Sequence, residues 1–368
     1  MPMRIIHCAD LHLDSKMNAN LDRENAKERR SEILHTFERM VAYADENRVS
    51  AILIAGDLFD TGNISATVRN VVLHNITGHP EINFYYLRGN HDNDNFLSGL
   101  EEIPRNLKMF GSRWVTYWEA GGRIAVSGLE LSGGNGESAY TSLVLDSGRF
   151  NIVMLHGQES QGASKDKAEI IHIKALRNKG IDYLALGHVH AYKKERLDAR
   201  GTYCYPGCLE GRGFDECGEH GFVVLDIDED AGNYTHEFIP FARRKLYTVE
   251  VDVTDCLTTA EMVEKAELCL QEAGCGKEGL VKIVLRGTLD VECEKDIVYF
   301  QSLFRQRFYY VKVYDETGLK MDAGDYMLDQ SLKGEFVRQV MADASIPEED
   351  RKVIIRYGLL AIAGEEVQ

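Results

Sequence analysis

Five segments of this 368-residue chain place carboxylate, amide and imidazole side chains directly after short apolar runs. Residues 5–9 run into Asp10-Leu11-His12, and 51–55 into Gly56-Asp57-Leu58-Phe59-Asp60. Residues 84–88 run into Gly89-Asn90-His91-Asp92, 152–155 into His156-Gly157, and 183–186 into Gly187-His188-Val189-His190. Oxygen and imidazole donors of this kind hold divalent cations such as Mn, Fe, Zn or Mg. Any one D-x-H or H-x-H is common by chance, and a lone histidine is more often a buried or solvated group than a ligand. Together the segments ask for a fold that brings five strand ends to one crevice. Open α/β sheets do this, because their ligands bind beyond the carboxyl ends of the strands.

The rest of the sequence supplies such a frame. Strand candidates at 4–9, 51–55, 83–87, 124–128, 151–155, 183–186 and 221–227 alternate with helix candidates at 25–47, 69–76 and 168–179. In the first helix Ile33, Phe37, Met40, Val41 and Ala44 recur at spacings of three and four with charges between them, the period of an amphipathic helix. The alternation predicts a layered α/β domain. After Pro240 the pattern changes to strands at 245–253, 280–288 and 309–315 with helices at 258–272 and 294–307. Two helices follow, 334–344 and 348–363, with Pro347 in the break. The expected divisions are 1–240, 241–320 and 321–368.

Composition narrows the function classes. With 44% hydrophobic and 27% charged residues, disordered, collagenous and low-complexity chains are excluded. No run of ~18 apolar residues is present, so no membrane span is expected. The apolar run at the N-terminus is too short for a secretory signal, which predicts a cytoplasmic protein. The eight cysteines form no C-x-x-C pair and are expected to be reduced thiols. Cys204, Cys208 and Cys217 with His220 could make a zinc site, although their spacing fits no common zinc pattern. The net charge is −17, and neither the first 240 residues nor the remainder is basic. A chain of this charge handles a phosphate polymer only with local basic groups or a partner's help. Lys193 and Lys194, just after His190, are candidates for phosphate contact. Arg88 either reaches the site or pairs with a carboxylate. His7 is read as a packed core group.

Taken in order, D-x-H, G-D-x-x-D, G-N-H-D, H-G and G-H-x-H resemble the signature of the calcineurin-like metallophosphoesterases over residues 10–190. The resemblance implies a four-layer α/β/β/α sandwich, then a small α+β cap domain and C-terminal helices. It implies two divalent ions: one held by Asp10, His12, Asp57 and His190, the other by Asp57, Asn90, His156 and His188. Asp57 would bridge them, and a bridging hydroxide would be the nucleophile, the pKa of water falling from ~15.7 towards ~7. Two such ions ~3.5–4 Å apart repel by on the order of 17 kcal/mol at an effective dielectric of ~20, and a shared carboxylate offsets much of this. With Asp10 and Asp57 the only anions among these ligands, the pocket keeps a surplus of about two positive charges and attracts phosphate although the chain is acidic. His91 resembles the family's acid, which protonates the leaving oxygen or steadies the phosphoryl charge. Asp92 either orients His91 or caps the following turn. Manganese is the ion to which the resemblance points, with Fe, Zn and Mg also suited to the donors.

Finer features select a branch. Phosphoprotein phosphatases of the superfamily carry Arg after the second Asp of G-D-x-x-D, where this chain has Thr61. Asp10 to Ser15, Gly56 to Gly62 and Tyr205-Pro206-Gly207-Cys208-Leu209-Glu210-Gly211-Arg212-Gly213-Phe214 look like the DNA-repair exonuclease branch, that of the SbcCD nuclease subunit and YhaO-type relatives. Cys208 stands where the branch usually has Ser, and Asp60 where some members have His. The branch implies phosphodiester hydrolysis in DNA, exo- or endonucleolytic. It also implies a cap beside the active site, C-terminal helices that dock on an SMC-like coiled-coil ATPase or else pack on the cap, and a second copy of the chain as a possible partner. The alternative is a small-molecule or cyclic-nucleotide phosphodiesterase on the same fold. A non-catalytic scaffold would show a degraded ligand set, whereas every expected ligand residue is present.

Overall fold

The computed structural model describes residues 2–17, 21–61, 63–98, 100–132, 136–159, 170–290, 293–320 and 326–363. It divides into two compact units, Met1–Lys245 and Leu246–Gln368.

In the first unit, strands β1 (Met3–Cys8), β2 (Ala51–Ala55), β3 (Asn83–Leu87) and β4 (Leu107–Met109) are joined by helices α1 (Arg23–Glu46) and α2 (Ala66–Gly78). Then come β5 (Val115–Glu119), β6 (Ile124–Gly128), helix α3 (Gly136–Ser142), β7 (Phe150–His156), β8 (Gln158–Glu159), β9 (Ile170–Ile171) and helix α4 (Ile173–Leu176). The unit closes with β10 (Tyr183–Gly187), β11 (Lys193–Arg196), β12 (Thr202–Tyr205), β13 (Gly221–Asp228) and β14 (Asn233–Pro240). Two six-stranded sheets result, ordered β14-β13-β1-β2-β3-β4 and β11-β12-β10-β7-β6-β5. Within each, the central strands run parallel: β1 to β4 in the first, and β6, β7, β10 and β12 in the second.

Alternation along each strand sorts side chains into layers. Ile5, Leu53, Ala55, Tyr85 and Leu87 of one sheet pack against Val126, Ile152, Met154 and Ala185 of the other. Their neighbours Ile6, Ile52, Ile54, Phe84 and Tyr86 face outward onto Ile33, Phe37, Met40 and Val41 of α1. On the far side Val153, Leu155, Leu184 and Leu186 meet Ala139, Tyr140 and Leu176. The architecture is thus α/β/β/α. His7 is fully buried, with Nδ1 2.9 Å from the Tyr183 hydroxyl. Burial pushes its pKa down to about 3, with His236 also lowering it, so it is a neutral core group.

The helix expected at 168–179 is corrected in part. Residues 168 and 169 lie outside the described residues. Ile170 and Ile171 form a strand parallel to Gln158 and Glu159, and the helix is the single turn of α4. The β-branched pair finds an open edge to bond with, and this outweighs the helical spacing.

In the second unit β15 (Leu246–Asp252), β16 (Leu280–Arg286) and β18 (Tyr310–Asp315) form a parallel sheet, with β17 (Thr288–Leu289) and β19 (Gly318–Leu319) as a small separate pair. Helices α5 (Thr259–Glu272) and α6 (Ile297–Arg305) bury Met262, Ala266, Phe300 and Phe304 against Val251, Ile283 and Val311 of the sheet. Helices α7 (Leu332–Ala342) and α8 (Glu348–Ala363) pack through Val337, Val340, Ile355 and Leu359. No described helix is long and apolar enough to cross a membrane.

A buried ionic cluster anchors the loop after β12 to α1. Arg29 is fully buried and donates to Glu32 at 2.6 Å, to Glu210 at 2.9 Å and to the Gly211 carbonyl at 3.0 Å. Thr36 donates to the other Glu210 oxygen at 2.7 Å. Removing one member of such a set strands a buried charge. Arg29→Met is therefore expected to lower the unfolding free energy by about 3 kcal/mol, read from the midpoint and slope of urea denaturation.

Candidate metal centre

The two sheets aim their parallel strand ends at one place. Asp10 and His12 follow β1, Asp57 follows β2, Asn90 and His91 follow β3, His156 ends β7, and His188 and His190 follow β10. Beyond the strand ends the loops stay interlocked. Asp10 N–H donates to the Gly56 carbonyl at 3.0 Å, His12 N–H to the Asp57 carbonyl at 3.0 Å, and Gly157 N–H to the Gly187 carbonyl at 3.1 Å. His188 N–H donates to both Asp10 oxygens at 2.9 Å. Asp10, His12, Asp57 and His188 all adopt positive φ, at 53°, 44°, 51° and 99°. Non-glycine residues hold that conformation only where the surroundings over-determine it.

Ligand-type atoms of Asp10, His12 and His190 lie within 4.8 Å of one another, as do those of Asp57, His156 and His188. Asp57 links the two groups: its Oδ2 is 3.4 Å from His156 Nε2 and 3.8 Å from His12 Nε2. Asn90 Oδ1 is 3.1 Å from His156 Nε2. Glycines make the approach possible. A Cβ on Gly89 would stand 2.1 Å from Asp57 Oδ1, and one on Gly56, at φ +95°, would stand 2.0 Å from His156 Nδ1.

The donors fit divalent cations by their proton arrangement. His156 Nδ1 is 2.9 Å from the Ala55 carbonyl and must donate there. Its Nε2 then faces the oxygens of Asn90 and Asp57, which call for a cation at that nitrogen: a metal ion, or the proton that Asp57 and Asp10 hold there without one. His190 Nδ1 faces Glu216 at 2.6 Å, and His12 Nδ1 faces Asp60 at 3.2 Å. With the proton on each Nδ1, the two Nε2 atoms turn lone pairs toward each other across 3.2 Å. Lone pairs converging on lone pairs and carboxylates repel unless a cation stands among them.

Charge tells the same story. Burial opposes the Asp57 carboxylate, but His156 and His12 outweigh it and hold its pKa well below the usual range. Burial pushes Asp10 up to about 6, against the nearby histidines. Burial also opposes a charge on His156, yet Asp57 and Asp10 raise it to about 9. His188 is pushed down to about 4 by burial and by His156.

His91 lies at the exposed mouth, its ring 5.1 Å from that of His12 and its Nδ1 2.9 Å from the Asp60 carbonyl. Asp92 does not orient it. The Asp92 carboxylate accepts from the backbone N–H groups of Gly89, Phe59 and Leu58 at 2.9, 2.9 and 3.3 Å, tying the loops after β2 and β3 together. Arg88 turns away to a two-pronged pair with Glu130, both contacts 2.7 Å. Lys193 bonds Glu159 and lies 3.2 Å from Glu195, whereas Lys194 is exposed on β11. Cys204, Cys208, Cys217 and His220 do not form a single site. Cys208 is buried 3.2 Å from His220 Nδ1, while Cys204 lies within β12 and Cys217 is exposed.

Residues 3–192 match the family model for calcineurin-like phosphoesterases. The chain belongs to that family. It is a metal-dependent phosphoesterase. It is 29% identical to the uncharacterised metallophosphoesterase YhaO of Bacillus subtilis, across 78% of this chain and 72% of that protein. It is 26% identical to the DNA double-strand break repair protein Mre11 of Methanopyrus kandleri, across 68% of this chain and 59% of the relative's length. With Mre11 of Saccharolobus solfataricus the identity is 22%, across 96% of this chain and 94% of the relative.

Three residues of the phosphoesterase site escaped ligand-based sequence reasoning: Asp60, Arg212 and Glu216. Arg212 donates to Asp60 at 2.8 Å and to Glu216 at 3.2 Å. Asp60 and Arg212 stand in motifs that carry the family resemblance, G-D-x-x-D and 205–214, but nothing there gave them a role; Glu216 had only its i, i+4 spacing from Arg212, too common to single out.

Because the Gly89 clash falls on both the Asp57 carboxylate and its backbone nitrogen, Gly89→Ala is expected to weaken divalent-cation binding by at least about 10-fold. Calorimetric titration of the purified variant with manganese chloride measures this.

Proposed function

We propose that this phosphoesterase hydrolyses phosphodiester bonds in DNA, with manganese as the working ion. Asp10, His12, Asp57 and His190 would hold one cation, and Asp57, Asn90, His156 and His188 the other. The observation that carries this reading is the convergence of these donor atoms around the buried Asp57. Two divalent ions so held supply a water of lowered pKa and a clamp on the charge that builds on the phosphate. The names of the Mre11 relatives favour DNA over a small phosphodiester.

The chain's own groups have separable tasks. Asp57 presents the same oxygen, Oδ2, to both halves of the site, and its Oδ1 accepts the His91 N–H at 3.0 Å. His91 is exposed and its ring is fixed through Nδ1 to the Asp60 carbonyl, so its Nε2 edge is presented to solvent to protonate the departing oxygen. Asp92 fixes the loop that carries Asn90 and His91. Lys194 remains the basic candidate for a flanking phosphate.

The second unit would serve as the cap and partner-docking part. Its helical end exposes Leu328, Leu332 and Val353 at 90%, 71% and 50%, an apolar surface suited to an SMC-like coiled-coil ATPase. A homodimer is the other assembly in keeping with the branch. The eight free cysteines favour a reducing, cytoplasmic setting.

The test is nucleotide release from single- and double-stranded DNA with manganese, beside bis-p-nitrophenyl phosphate and cyclic nucleotides. Release from DNA is expected, and His91→Ala should lower kcat by about 10²–10⁴-fold with manganese binding retained. Turnover of the small substrates alone, with or without a coiled-coil ATPase, would move the substrate to small phosphodiesters.

A further inference from the structure

We propose that Arg212 is a positioning residue that makes the two cation sites unequal, tightening the one formed by Asp10, His12 and His190; this rests on the two-cation reading above. The two halves of the centre are backed differently. In one, the outward nitrogens of both imidazoles stand against carboxylates: His190 Nδ1 is hydrogen-bonded to Glu216 at 2.6 Å, and the buried His12 Nδ1 lies in ion-pair range of Asp60 at 3.2 Å, without hydrogen-bond alignment. In the other, one of the two imidazoles, that of His156, has its Nδ1 against the neutral backbone carbonyl of Ala55, at 2.9 Å. A carboxylate behind an imidazole fixes its tautomer and strengthens its inward lone pair as a donor, and it does so more than a neutral carbonyl because it carries charge.

Two carboxylates so close to the site repel each other and need a counter-charge. Arg212 is that charge. One arm of its guanidinium bonds Asp60 at 2.8 Å and the other bonds Glu216 at 3.2 Å. Its own N–H bonds the second Glu216 oxygen at 2.7 Å, closing the loop on itself. The loop is gripped from behind by Arg29 through Glu210 and the Gly211 carbonyl. A planar fork can hold two acceptors in fixed directions, which an ammonium does not reproduce. The same geometry accounts for two other groupings of metal-type residues, His12 with Asp60 and His91, and His190 with Cys208 and Glu216. Their carboxylates already hold a cation, the guanidinium.

The test is calorimetric titration of the full chain with manganese chloride, with the paramagnetic resonance of bound manganese as a second readout. Wild type is expected to fill two sites in resolved steps. Arg212→Met should weaken the tighter step by about 10- to 100-fold and leave the weaker one unchanged, and Arg212→Lys should recover only part of the loss. If Arg212→Met does not fold, as judged by its thermal melt, Glu216→Gln removes the charge behind His190 at nearly constant size and should give the same one-step loss. Equal weakening of both steps, or no weakening, overturns the inference while leaving the two-cation reading in place. A wild-type chain that takes up no manganese overturns that reading, and this inference with it.

Discussion

Asp57 is buried and ionised, and a buried carboxylate survives only if its surroundings supply compensating charge and hydrogen bonds. Here they come from every side. One oxygen accepts the His91 backbone N–H, and the other faces the rings of His12 and His156. Gly89 must lack a side chain for this to fit. The loops after β1, β2, β3 and β7 are all arranged about this one group, and under the two-cation proposal bound metal would complete the compensation.

The layered sheets make that arrangement possible at a tolerable cost in backbone strain. Each sheet delivers its parallel strands to the same edge, and the loops remain hydrogen-bonded past the strand ends. Four of the donor residues sit at positive φ. Such strain persists where neighbouring bonds leave no alternative, and the paired donations from His188 N–H to Asp10 are one example of that over-determination.

Much of this was legible in the sequence. The apolar runs before Asp10, Asp57, Asn90, His156 and His188 announce strands, and donor residues at strand ends announce where they meet. The first helix was legible from the three- and four-residue spacing of Ile33, Phe37, Met40 and Val41. The short edge strands β4, β5 and β11 were not, because three to five half-exposed residues carry too little alternation. Asp92 was ambiguous between a ring and a turn because carboxylates bond either equally well. The three backbone N–H groups it accepts come from Gly89, Leu58 and Phe59, so it serves neither the ring nor the following turn but ties together the two preceding loops. Arg212 and Glu216 were hidden for a different reason. Their partners, Asp60, His12 and His190, lie far away along the chain, and no local pattern encodes a meeting across the fold.

The donors are drawn from positions 10 to 190, and they meet only once both sheets have docked. An unfolded chain therefore has no comparable affinity for divalent ions, so occupancy and folding are thermodynamically linked. With free ion at about 100 times the dissociation constant, each filled site adds about 2.7 kcal/mol against unfolding. On the two-cation reading, metal supply would govern the protein's lifetime as well as its chemistry: a chelator that strips the ions would also expose the chain to heat and to proteases.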